Sequence, residues 1–397
     1  MSVGFVRNIA DVHAALPAIS TRLAAGAAAH DAAGTFPHEA IAPLWEAGVL
    51  DLVVPRGAGG VGGGLRDTVA ALTEIGRGDP SVALVVGLHL LQLLAIGAPG
   101  SPWPDGLRDR LQRSVVDGPA LLNALRVEPE LGTPARGGLP ATVAIRQPDG
   151  GFRLHGRKIY STGVPGLRWH LVYARTDDPE PRVAQFVVDA ADREGWRVEP
   201  TWDHLGMRAT ASHDVVYEGA YVAADAVADI RTPGTSHPLD PVVLGWNSAA
   251  IAATYHGVAL AARDWLVDYL HHRVPSALGA PLATLPRFQE AVGRIEATVR
   301  TSTRLLDDLA RRLDDPSTVS DAVADAPVVK RAVTNAVIEV TSEAIGLVGN
   351  PGLSRANDIE RHLRNALCSR IHTPQDDMVL LMAGREALAR HDDGARP

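Results

Sequence analysis

Cysteine is almost missing from this 397-residue chain. Cys368 stands alone, so no disulfide can form within it, and a reducing compartment fits. Lysine is nearly as scarce: among 38 lysine and arginine residues, only Lys158 and Lys330 are lysine. That bias reads most simply as genomic base composition. No long basic run exists and the net charge is −8, which disfavours nucleic-acid binding. No apolar run reaches the ~20 residues that span a bilayer. The richest stretch, Ser81 to Ala98, is interrupted by His89 and Gln92 and reads as a buried helix. The N-terminal region lacks a basic stretch followed by an apolar block, so no secretion signal is expected. These absences predict a soluble cytoplasmic protein without a membrane or nucleic-acid partner. No HExxH, GxSxG or nicotinamide-dinucleotide fingerprint is present, and the His/Asp/Glu spacings predict no metal site.

Hydrophobic residues make up 46% of the chain, enough for two or three domains. The first third has helical spacing. HEAIAPLWEAGVLDLVVP carries Ile41, Leu44, Trp45 and Val49 on one face and predicts an amphipathic helix. It runs into the glycine run Gly57 to Gly64, read as a flexible surface loop rather than a phosphate cradle. Two helices broken at Gly78-Asp79-Pro80 follow. From Leu121 to about Val227, short β-rich runs alternate with turns. After a Pro/Gly/Ser-rich linker (Thr232 to Pro241), four long helical patterns begin at Trp246, Leu285, Pro327 and Ala356, and suggest a bundle. The fold expected is therefore α+β. A helical domain over 1–120 precedes a β-barrel-like domain over 121–235 and a four-helix bundle over 236–397.

That order, with six motifs, resembles the acyl-CoA dehydrogenase superfamily over nearly the whole chain. VPRGAGGVGGG followed by GDPSVAL resembles its N-terminal domain. NALRVEPELGTPARGG (Asn123 to Gly138) resembles the segment lining the flavin, which implies cofactor contacts at Leu125 and Val127. GRKIYSTG (Gly156 to Gly163) resembles the second flavin segment, with Tyr160 and Thr162 at the ring-contacting positions. LGMRATASHDVVYEGAYV (Leu205 to Val222) resembles the end of the β domain. RVPSALGAPLATLPRFQ (Arg273 to Gln289) resembles a segment whose arginine reaches the flavin pyrophosphate of a neighbouring subunit. GLVGNPGLSRANDIERHLRN (Gly346 to Asn365) resembles the glycine turn, at Gly349, and the helix after it. The resemblance implies FAD, with FMN as the alternative, and a homodimer or homotetramer. An arginine suits pyrophosphate, and Thr or Ser hydroxyls suit flavin nitrogens.

The family's catalytic glutamate has no counterpart. In RNALCSRIHTPQDD, His372 falls on the family's tyrosine and Thr373 on its glutamate. At the alternative glutamate position stand Asn247 and Ser248. A flavin monooxygenase branch of the superfamily also lacks this residue. Its C-terminal His…Pro resembles His372-Thr373-Pro374, and its pocket residues resemble His89, Asn123, Ser161 and Trp202. The resemblance implies catalytic roles for His372, Ser161, Asn123 and His89, and substrate contacts at Trp202, Thr373 and Asp376. Oxygenation of a small organic substrate by a reduced-flavin hydroperoxide is expected, with a separate reductase as electron source. The alternatives are dehydrogenation of a CoA- or carrier-linked thioester with an atypical base, and a non-catalytic scaffold. An unperturbed imidazole titrates near pH ~6.5, so His372 is expected to exchange protons at working pH.

Overall fold

The computed structural model describes residues 8–130 and 138–392. Residues 131–137, within the first flavin-like segment, lie outside this range. The N-terminal helices are α1 (Ile9–Ala33), α2 (Ile41–Glu46), α3 (Leu65–Gly78), α4 (Pro80–Gly97) and α5 (Asp105–Asp117). Asp79 separates α3 from α4 and caps α4 by accepting from the Ser81 amide at 2.8 Å. Helix α2 is shorter than its apolar pattern predicts, because Gly48 takes a left-handed φ of 78° just after it. The glycine run lies at the surface, with Gly57, Gly59 and Gly62 exposed, and is tied to the segment before it. Its amides at Gly62 and Gly63 bond the carbonyls of Val54 and Leu52, and Val61 is fully buried. At its end, the first amides of α3, those of Leu65 and Arg66, donate to the Asp314 carboxylate at 2.8 and 2.9 Å. The chain's own carboxylate fills the place an anion would take. One described helix, α4, is long and apolar enough to cross a membrane, and 72% of it is buried inside the protein.

Eight strands follow: β1 (Leu121–Leu125), β2 (Val143–Arg146), β3 (Phe152–Lys158), β4 (Leu167–Thr176), β5 (Val183–Asp189), β6 (Trp196–Glu199), β7 (Asp214–Val222) and β8 (Val227–Arg231). They form one sheet among the described residues: seven run in the order β6-β7-β3-β2-β4-β5-β8, and β1 joins off this path by pairing with β4. Strand β4 pairs in parallel with β1 along its first half and with β2 at its end; the other pairings are antiparallel.

The C-terminal helices are α6 (Asp240–His272), α7 (Pro286–Asp314), α8 (Val319–Val348), α9 (Asp358–Leu367) and α10 (Asp376–Asp392). Three are long and two shorter, where the sequence pattern suggests four long ones. Pro327 does not begin a helix but lies inside α8. Val333, Val337 and Val340 form its buried stripe. Helix α6 is the axis of the molecule, packing against α3, α4, α7, α8 and α9. Its middle, Ser248 to Ala259, is buried on all sides. Small residues make this feasible. A Cβ added at Gly76 would lie 2.4 Å from the Thr254 carbonyl, and one at Gly257 would lie 2.5 Å from the Gly76 carbonyl carbon. The α3 and α6 backbones therefore touch.

Candidate active site

The turn after β3 is held from several sides. The Ile159 amide donates to Val127 O at 2.9 Å, Ser161 N to His213 O at 3.1 Å, and Gly163 N to Thr210 O at 2.8 Å. Asn123 donates its side-chain amide to Thr162 O at 3.0 Å, and Ser212 Oγ donates to Thr162 Oγ1 at 3.0 Å. Tyr160 is thereby fixed at φ 55°, a left-handed value that bulky residues rarely adopt. Its ring stands exposed, edge-on to Trp202 at 6.2 Å and His204 at 5.9 Å. Trp202 and His204 stack at 3.6 Å. These rings border a cavity of about 520 Å³ lined also by Pro129, Arg157, Thr201, Ser212 and Asp214. Arg157 is neutralised by Asp214 through two hydrogen bonds of 2.8 and 2.5 Å. Aromatic faces and hydroxyls around uncommitted volume suit a planar polar ring, such as a flavin, better than its phosphates. Ser161 Oγ, buried without a protein partner, is a further free polar atom in this turn.

Beneath the turn lies an ion pair that sequence reasoning missed. Lys158 Nζ contacts Glu128 at 2.5 Å, and both side chains are buried. Glu128 also accepts from the Ala141 and Thr142 amides and the Thr142 hydroxyl. Burial opposes the Glu128 charge, but Lys158 and these hydrogen bonds outweigh it and lower its pKa. Burial pulls Lys158 down to about 8, against the pull of Glu128, so the lysine stays charged at neutral pH. The signal lay in the scarcity of lysine.

A second group of predicted residues sits in the turn between α9 and α10, outside the lining of the cavity beside Tyr160. His372 Nε2 hydrogen-bonds the hydroxyl of Tyr255, a fully buried residue of α6, at 2.8 Å. Lys330 of α8, also fully buried, donates to His372 O and Pro374 O, each at 2.8 Å. Asn247 of α6 donates to Thr373 O at 2.8 Å, and the Thr373–Pro374 peptide is cis. Burial, with the Lys330 charge beside it, depresses the His372 pKa to about 3. This corrects the expectation from free imidazole: His372 is neutral at working pH and a weak proton acceptor. Asp376 accepts from Asn335 at 2.8 Å and lies 3.6 Å from Arg331, which ties the start of α10 to α8.

Met207 links the two groups through the protein interior. Met207, whose carbonyl accepts from the Trp202 indole at 3.2 Å, donates its amide to Asn365 of α9 at 2.7 Å. Met207, Leu84, Ile251 and Tyr255 share one apolar cluster, with Cys368 packed against it. Asn123, Tyr160, Ser161, Thr162 and Trp202 thus belong to one side, and Thr373 and His372 to the other. Leu125 and Val127 lie at and just after the end of β1, with Leu125 buried.

Three predicted residues stand apart. His89 is fully buried, with Nε2 bonded to Leu50 O at 2.8 Å and Nδ1 accepting from Leu122 N at 3.2 Å. Burial lowers its pKa to about 4. Both nitrogens are spent on backbone, so this ring joins α4 to β1 and has nothing left for catalysis. Gly349 caps α8 at φ 68°, exposed. Arg273 is exposed at the end of α6, 18 residues beyond Tyr255, or roughly 27 Å along the helix. Among the described residues no group of three or more metal-ligating side chains occurs.

Three family models match this arrangement: the acyl-CoA dehydrogenase N-terminal domain over residues 14–102, the middle domain over 127–220 and the C-terminal domain over 249–376. YdbM of Bacillus subtilis, assigned by name to the acyl-CoA dehydrogenases, is 32% identical over 91% of this chain and 92% of its own. The chain belongs to the acyl-CoA dehydrogenase family, whose members are flavin-dependent oxidoreductases. The amino sugar nitrososynthase DnmZ of Streptomyces peucetius is 29% identical over 85% of this chain and 82% of its own. The structure of KijD3 with FMN and a dTDP-linked amino keto sugar superposes with a TM-score of 0.82, at 26% identity, over 95% of this chain and 93% of that one.

Proposed function

We propose that this protein is a flavin-dependent monooxygenase acting on a small organic substrate, with reduced FAD or FMN delivered by a separate reductase in the cytoplasm. The observation carrying this reading is the contact between Asn247 and Thr373 at 2.8 Å. These are the two positions at which a family dehydrogenase would carry its glutamate, and here both are neutral. The nearby imidazole is also unsuited to removing a weakly acidic carbon-bound proton, because a base with a conjugate-acid pKa of about 3 has little driving force for it. When bound, reduced flavin would supply the two electrons needed to put one oxygen atom of O2 into the substrate and release the other as water. The chain's own groups bind and orient. Tyr160 and Trp202 offer ring faces, Ser161 and Asn123 polar contacts, and neutral His372 a hydrogen bond to substrate. With Tyr255 donating to Nε2, the imidazole keeps its proton on Nδ1, where it can donate. The nitrososynthase relatives support oxygenation at an amine.

A second reading, dehydrogenation of an acyl thioester, is favoured by the likeness to YdbM. A stopped-flow experiment separates the two. Flavin-loaded protein is photoreduced without air and then mixed with oxygen. Two-phase return of the oxidised spectrum, with no anaerobic bleaching by saturated acyl-CoAs, is the expected result. Bleaching by an acyl-CoA under anaerobic conditions would overturn the proposal.

On this reading the protein works as a homodimer or homotetramer in which Arg273, exposed at the end of α6, grips the phosphate end of a neighbour's flavin, as the family resemblance implies. Arg273→Ala should lower flavin retention without changing the sedimentation coefficient. Unchanged flavin affinity would assign the pyrophosphate to another cation.

A further inference from the structure

Among the described lysines and arginines, the two lysines alone are fully buried. All the other residues among the 38 lysines and arginines are arginine, and Lys158 and Lys330 are both fully buried. The two exceptions to the bias against lysine thus both lie in the interior. At Lys330 the geometry favours lysine. The carbonyls of His372 and Pro374, two residues apart, converge on one nitrogen at 2.8 Å each. An ammonium is a compact point donor with three hydrogens, whereas a planar guanidinium needs acceptors laid out along its fork.

We propose that Lys330 is the positioning residue of the His372 turn: by clamping the carbonyls on both sides of Thr373, it holds the His372 ring on the Tyr255 hydroxyl. This rests on the site reading above, in which His372 contacts substrate. The clamp is completed from α6 by Asn247 on Thr373 O and Tyr255 on the ring. The charged and titratable groups facing this turn are Tyr255 from α6, Lys330 and Arg331 from α8, and Asp376 from α10. The ammonium has a second effect, because its charge opposes protonation of the neighbouring imidazole.

Lys330→Met, Lys330→Arg and, as a milder neutral variant in case the first does not fold, Lys330→Gln test this. Flavin content, kcat and KM are measured on the loaded enzyme. The His372 ring nitrogens are followed by NMR against pH in flavin-free protein, with His372→Gln assigning the signals. The expected result for Lys330→Met or Lys330→Gln is a fall in kcat on the order of 100-fold, the scale of a ~1 Å misplacement, with KM changed much less. The His372 titration should move to higher pH, since a repelling charge is gone. Lys330→Arg should restore neither kcat nor the wild-type tautomer signals. Wild-type signals and turnover in Lys330→Arg, or a His372 titration unmoved in the neutral variants, would overturn the clamp. If the NMR changes appear but His372→Gln retains full turnover, the clamp stands and the catalytic reading of His372 falls.

Discussion

Tyr160 occupies a backbone region that costs an L-residue roughly 1–2 kcal/mol, and the turn around it is built to hold it there. Replacing it with glycine removes that strain but adds about 0.5–1 kcal/mol of backbone entropy. Tyr160→Gly should therefore leave the stability of flavin-free protein within about 1 kcal/mol of wild type while flavin retention falls, because the exposed ring bordering the cavity is gone. Denaturant titration and bound-flavin absorbance check the two halves separately. His372 behaves differently. His372→Ala leaves the buried Tyr255 hydroxyl without its partner, at a cost of about 1–3 kcal/mol, and should lower turnover by ~100-fold or more, the scale for losing one well-placed hydrogen-bond donor. Tyr255→Phe removes the same hydrogen bond and no ring, so its loss of turnover should be smaller. Equal losses in the two variants would mean that the pair acts only as structure.

Helix α6 is the element on which the site depends. Asn247, Tyr255 and Arg273 stand at three levels of it, and its height is set where it touches α3. Gly257→Ala places a methyl group against the α3 backbone. It should destabilise the protein by about 1–3 kcal/mol and lower turnover as well, since Tyr255 is two residues away. Thermal unfolding beside kcat measures both. Much of this element pattern is legible in the sequence. The β domain shows its period-2 runs, Asp79-Pro80 marks the α3–α4 break, and YSTG marks the flavin turn. Other features are not. The Glu128–Lys158 pair joins residues 30 apart, one in the segment after β1 and one at the end of β3, and no spacing rule announces it. The Tyr255–His372 bond spans 117 residues. Lys330 lies mid-helix with no local motif. His89 illustrates the converse: its place in an apolar helix fits a ligand and a core hydrogen-bonder equally, and only Leu50 O and Leu122 N decide between them.

At the scale of the molecule, five histidines are kept neutral by burial. His89 and His256 are pushed down to about 4, and His170, His362 and His372 to about 3. In the unfolded chain these rings take protons near pH ~6.5. Between that pH and their folded values the unfolded state binds more protons. The stability they contribute is therefore complete above pH ~6.5 and is lost as pH falls toward 4 and 3. Each ring contributes up to about 1.4 kcal/mol per pH unit within its window. The urea midpoint should hold steady from pH 8 to 7 and drop between 6.5 and 5, before most carboxylates titrate. His89→Gln should flatten that slope; a midpoint constant down to pH 5 would mean that these rings are hydrated.

The burial of both lysines gives the folded surface an unusual chemistry. Apart from the α-amino group, the chain offers amine-directed reagents only Lys158 and Lys330, each sealed in the interior. Acylating probes, aldehyde cross-linkers and enzymes that modify lysine should pass over the native protein. Label found on either side chain would instead report that the β-domain turn or the His372 turn had opened. The protein thus carries two internal sensors of local unfolding, one on each side of its candidate active site.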